Sequence, residues 1–94
     1  DTYSGTVLET FFRQKFSETG MYNVVTNYWE KNGENEIDLI AVDDNEKEMV
    51  IAEVKRNPSK FNLSELERKA TGIVSLKKKY NVKYLALSLE DMTL

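Results

Sequence analysis

The chain is expected to fold as an α/β domain of order αβββαβ, a mixed four-stranded sheet flanked by helices. Three observations carry this expectation. An amphipathic helical repeat opens the chain, and two apolar runs separated by a polar stretch read as a β-hairpin. A second helical repeat then leads into one more apolar run, and a strand-helix-strand crossover of this kind favours a last strand parallel to an earlier one.

In the first helical segment, Gly5 to Thr19, the residues Val7, Leu8, Phe11, Phe12 and Phe16 recur at spacings of three and four, and Gly20 supplies the stop. Glu9 borders that apolar stripe. It is either an ordinary helix charge or an acid looking toward the sheet. Tyr22 to Glu30 is β-branched and aromatic, and the Asn32-Gly33 pair after it suits a hairpin turn, so the first two strands should be antiparallel neighbours. Tyr28 and Trp29 in this strand read as core aromatics ahead of base-stacking ones. The hairpin runs are Glu36 to Val42 and Met49 to Lys55, joined by Asp43 to Glu48. Asn57-Pro58-Ser59 ends the sheet, because proline cannot donate to a ladder. Asn62 with Glu65 three positions on resembles a capping box, opening a helix with Leu63, Leu66, Ala70, Ile73 and Val74 inward and an end near Tyr80. Val82 to Leu89 is apolar enough after Lys83 to be a strand covered on both faces.

Charges interrupt the hairpin where apolar residues are expected. Side chains alternate along a strand, so Glu53 and Lys55 share one face, and hairpin register can set Asp38 beside Glu53 across the strand pair. Burying a carboxylate or an ammonium is costly unless it is paired or holds a metal. The three residues therefore form either a site or an internal ion-pair network. Glu36, two residues before Asp38, is a further candidate acid, although a position just after a turn is usually solvated.

At 94 residues the chain has room for one domain and a modest core. It lacks cysteine and histidine, which excludes disulfides and argues against zinc, leaving Mg²⁺ or Mn²⁺ as the ion that oxygen ligands would hold. No apolar run approaches the ~20 residues of a membrane span, and a soluble, cytoplasmic location with no membrane partner is expected. No GxxxxGK loop occurs, so ATP binding by that route is not expected of these residues. The net charge of −3 is unevenly spread: Lys55 to Tyr84 holds nine basic residues against two acidic, the rest four against fourteen. A basic half beside an acidic pocket suits a metal-assisted phosphodiesterase, while Lys77-Lys78-Lys79 is more simply a solvated helix face.

Ile37-Asp38 followed by Glu53-Val54-Lys55 resembles the bipartite signature of the PD-(D/E)xK nuclease superfamily, with Ile where Pro is usual. The run of Gly5-Thr6-Val7-Leu8-Glu9, Tyr28-Trp29, Glu36 to Ala41, Ala52 to Lys55 and Leu66 to Lys69 is similar to DUF234, the nuclease-like domain found behind the ATPase module of archaeal-type DEXX-box ATPases. The resemblance implies a restriction-endonuclease-like fold, DNA as substrate, and an attached ATPase from which this stretch, starting at Asp1, is cut. It also implies roles. Asp38, Glu53 and the Val54 carbonyl hold the metal, Lys55 acts on the attacking water or the phosphate, and Glu9 joins the same catalytic pocket. Lys69 falls where members of that superfamily often carry a Lys or Gln near the site, as a nucleic-acid contact, while Arg56 and Lys60, which flank the Pro58 bend, are either phosphate contacts or ordinary surface charges. The alternatives are a silent relative that binds DNA or a protein, and a module that self-associates as a homodimer through the edge of its last strand.

Overall fold

The computed structural model describes residues 5–30 and 35–92. Its elements are helix α1 (Gly5–Glu18), strands β1 (Val24–Trp29), β2 (Glu36–Asp43) and β3 (Glu48–Val54), helix α2 (Leu63–Leu76) and strand β4 (Asn81–Leu87), with short 3₁₀ turns at Pro58–Lys60 and Leu89–Asp91. The order is the αβββαβ expected from the sequence. The four strands lie in the order β1-β2-β3-β4, the first three antiparallel and β4 parallel to β3. The Asn32-Gly33 turn lies outside the described residues, but the antiparallel pairing of β1 and β2 is observed.

Strand alternation builds two cores, one per sheet face. On one side Leu8 and Phe12 of α1 pack on Leu39, Ala41, Val50, Ala52 and Val54. On the other, Leu66 and Ala70 of α2 pack on Ile37, Ile40, Val42, Met49 and Ile51. Every residue of β2 from Leu39 to Asp43 is buried, as expected of a central strand covered on both faces.

Three expectations need correction. Val7 (44% exposed) and Leu63 (47% exposed) stand outside the buried stripes of their helices. Helix α2 ends at Leu76, short of Tyr80: Lys77 leaves the helical region with ψ 51° while its N–H still reaches the Val74 carbonyl. Strand β4 is covered along one face and only at its end on the other. Val82 and Tyr84 meet the α2 core and Leu87 meets the α1 core, whereas Lys83 and Leu85 are exposed, because α1 packs mainly over β1 to β3.

Local chemistry sets the boundaries. Gly20 takes φ +70°, the left-handed conformation that glycine adopts most readily, just past the end of α1. The Asn57 side chain accepts from the Ser59 N–H and caps the 3₁₀ turn at Pro58. At the start of α2 the Asn62 Oδ1 accepts from the Glu65 N–H at 3.1 Å, satisfying one of the helix's orphan donors. Removing that acceptor in Asn62→Ala is expected to cost about 1 kcal/mol, read in urea denaturation as a lower midpoint with an unchanged slope; an unchanged midpoint would show that the cap contributes nothing.

Candidate functional site

The site begins with an irregularity in β2. Thr26 pairs with Ile40, yet Tyr28 pairs with Ile37, so two residues of β2, Asp38 and Leu39, stand opposite Asn27 alone. This is a β-bulge, and such an extra residue bends the strand and re-aims side chains. Its effect is visible in the core: Ile37 and Ile40, three apart, face the same side, which simple alternation forbids.

At this bend Asp38 is tied to both of its neighbours. Its Oδ2 accepts from the Val54 N–H of β3 at 2.8 Å, a side chain serving a backbone donor at the end of the ladder. Its carbonyl accepts from Arg13 Nη1 of α1 at 3.0 Å. The β2–β3 register runs to Leu39 with Ala52, and one further step along it sets Asp38 opposite Glu53. Glu53 is buried at 9% exposure and carries two ammonium groups on one oxygen: Lys55 Nζ at 3.4 Å and Lys69 Nζ at 3.7 Å from Oε1. Lys69 arrives from α2, and its side chain is mostly buried.

Glu9 does look toward the sheet. It lies 3.8 Å from Arg13 Nη1 and lines, with Asp38, Glu36, Asn27 and Trp29, a hollow of about 220 Å³ at the end of β1 and β2. Glu53 and Lys55 do not line that hollow. They belong to the ion-paired cluster with Lys69. Asp38 links the two groups. Arg56 and Lys60 are exposed on the segment between β3 and α2.

Electrostatics follow from this placement. Burial pushes the Asp38 carboxyl above its ordinary value; the Val54 N–H, Lys55 and Lys69 oppose the rise, and Glu53 adds to it. Burial also raises Glu9, with Asp38 and Glu36 adding to the rise and Arg13 opposing it. Two acids that both resist ionisation beside each other are a common feature of sites that handle cations or protons.

The basic run at Lys77 to Lys79 lies elsewhere. It precedes Asn81, which pairs with Glu48 at the opposite end of β3 from Val54. Six residues of strand put the two ends roughly 20 Å apart. There Lys47 and Lys77 each stand 5.2 Å from the Tyr80 ring, and the Tyr80 hydroxyl donates to Asp44. These three lysines follow the helix instead of lining its face, and they do not border Asp38.

Sequence reasoning missed Arg13, Asn27 and the exposure of Trp29. The tryptophan is 64% exposed, so it is not the core residue expected. Tyr28 is the one that turns inward onto the Ile37 core.

Among the described residues no three acidic side chains come close enough together to hold a metal between them. Mg²⁺ takes hard oxygen donors and keeps several waters when bound. Asp38, Glu53 and Val54 are all oxygen donors of that kind.

Fold and site together define a small mixed α/β domain with an acid-and-lysine centre at the bent end of its hairpin. Residues 1–73 match the model of DUF234, described as archaea bacterial proteins of unknown function, and the chain belongs to that family. The match takes in Glu9, Asp38, Glu53 to Lys55 and Lys69. No curated protein and no solved structure matches the chain significantly. Among the described residues no helix is long and apolar enough to cross a membrane.

The native protein holds the Asp38 proton to higher pH than the unfolded chain does, so this residue's contribution to stability falls as pH rises through its folded pKa. Asp38→Asn should therefore raise the melting temperature at pH 7, with the gain narrowing as pH falls toward 3.8, the ordinary aspartate value. Thermal denaturation followed by circular dichroism across that range checks it; a variant less stable than the wild type at pH 7 would contradict the assignment.

Proposed function

We propose that this domain is a metal-dependent DNA endonuclease of the PD-(D/E)xK type, with the restriction-endonuclease-like version of the αβββαβ fold. The observation that carries the proposal is the tie between the Asp38 carboxylate and the Val54 N–H. It brings the Asp of one hairpin strand to the Glu53-Val54-Lys55 run of the next, as the sequence signature requires.

Hydrolysing a phosphodiester requires an activated water and neutralisation of charge growing on the phosphate. Asp38, Glu53 and the Val54 carbonyl would hold Mg²⁺ or Mn²⁺, which supplies Lewis acidity and a more acidic water when bound. The chain's own residues do the rest. The Val54 N–H fixes the Asp38 carboxylate, and Lys69 holds the Glu53 side chain in place from the α2 side. Lys55 is partly exposed, so its ammonium can face the attacking water or the phosphate while still close to Glu53. Glu9 stands at the edge as a further acid, and Arg56 and Lys60 offer exposed positive charge for the DNA backbone on the adjoining segment. An attached ATPase, as in the proteins the sequence resembles, belongs to this reading as a partner.

One observation favours a second reading. Both ammonium groups on Glu53 Oε1 make a self-contained ion-pair network, which is how a silent relative serving only DNA or protein binding would keep the same residues buried.

Cleavage of supercoiled plasmid separates the two readings. The wild type is expected to nick DNA with Mg²⁺ or Mn²⁺ and to stop with EDTA. Asp38→Ala should abolish cleavage, and Lys55→Ala should slow it by roughly 10² to 10⁴, the usual worth of a positioned acid or base. Equal rates in all three proteins would mean a contaminant, and binding without cleavage would select the silent module.

A further inference from the structure

Trp29 is the chain's single tryptophan, and it sits 64% exposed at the end of β1. Its neighbour Tyr28 uses its ring to fill the core and its hydroxyl to reach Glu30 at 3.3 Å. Nothing in the packing of β1 therefore calls for an indole at position 29. An indole joins a broad apolar face to a polar N–H, the combination found at contact surfaces that are apolar on one side and wet on the other.

Its surroundings narrow the ligand. Trp29 pairs across the strands with Glu36, so the two side chains share a face. With Glu9, Asn27 and Asp38 they line the same hollow of about 220 Å³. That is below the ~300 to 1,000 Å³ of pockets that enclose whole drug-sized ligands, and it suits one flat ring system. The carboxylates at its wall accept hydrogen bonds and donate none when ionised, so they repel a phosphate and favour a partner rich in N–H groups. The Asn27 amide can both donate and accept. A planar group with amino edges is what an indole face, an amide and a row of acceptors recognise together.

We propose that Trp29 is a stacking platform for one unpaired nucleobase, so that the domain acts on single strands, overhangs or frayed ends in preference to intact duplex. This deepens the nuclease reading and rests on it for the identity of the substrate. A base inside a duplex already has both faces stacked, and an indole reaches one only at an end, in a single strand, or after flipping. Because Asp38 lines the same hollow, a base held there sets its strand beside the acid that the cleavage reading puts at its centre, where a bound cation would offset the repulsion between carboxylate and phosphate. The platform thereby chooses which phosphate is presented.

The single tryptophan makes the test direct. Intrinsic fluorescence of the full chain is titrated with a single-stranded oligonucleotide and with a blunt duplex of equal length, both with Mg²⁺, and affinities are taken from anisotropy of labelled strands. Quenching by the single strand is expected, with affinity at least tenfold above that for the blunt duplex. Trp29→Ala should weaken single-strand binding roughly 5- to 100-fold, the range that stacking one base on an aromatic ring supports, and Trp29→Phe should restore most of it. Circular dichroism confirms that both variants fold. Equal affinity of wild type and Trp29→Ala, or equal affinity for the two DNA forms, overturns the platform. Plasmid cleavage run in parallel keeps the two ideas apart. Quenching without cleavage upholds the platform and removes the nuclease, whereas cleavage with an indifferent Trp29 does the reverse.

Discussion

The hydrogen bond from the Val54 N–H to Asp38 Oδ2 is the contact on which the rest of this centre depends. It exists because β2 carries one residue too many opposite β1, and the strand bends away where it would otherwise have continued its ladder. A buried backbone N–H left without a partner is costly, so the departing strand leaves its own side chain behind as the acceptor. The same residue offers its carbonyl to Arg13. Asp38 is thus held by strand on one side and helix on the other, and its position reports how those two elements sit relative to each other.

Around that point the charges are arranged unequally. On the α2 side Glu53 has two lysines for company; on the α1 side Glu9, Glu36 and Asp38 share the hollow with Arg13 close by. Buried ion pairs seldom add much stability relative to apolar replacements, because desolvation offsets the attraction. Residues of this kind kept together in a domain of this size are a cost to folding, which is why a functional explanation is preferred over a purely structural one.

Much of the architecture was legible in the sequence because it depends on local rules. The helical repeat of Leu8 and Phe12, the capping asparagine at position 62, the glycine at position 20 and the alternation through β3 each act over a few residues. What escaped depends on neighbours distant in sequence. The bulge at Asp38 is defined by its partner strand, and alternation alone would set Ile37 and Ile40 on opposite faces, whereas they share one. Whether β4 is covered depends on how far α1 reaches across the sheet, which no property of Lys83 or Leu85 reveals. Trp29 looks like a core residue by type, and only the fold shows that Tyr28 has taken that role. Of the site, the shared face of Glu53 and Lys55 was readable from spacing; the hollow shared by Asp38 and Glu9, but not by Glu53, was not.

The parallel ladder of β3 and β4 has a bearing on how the molecule comes together. Glu48 and Asn81 open that ladder from positions some thirty residues apart, so its formation waits for a long closure, whereas the antiparallel strands before it meet through short connections. The crossover helix within that closure carries Lys69. The same helix covers the face of the sheet on which Glu53 lies. Burial of the acid and its second counter-ion therefore come from one packing contact, so the element that takes water away from Glu53 also supplies a compensating charge.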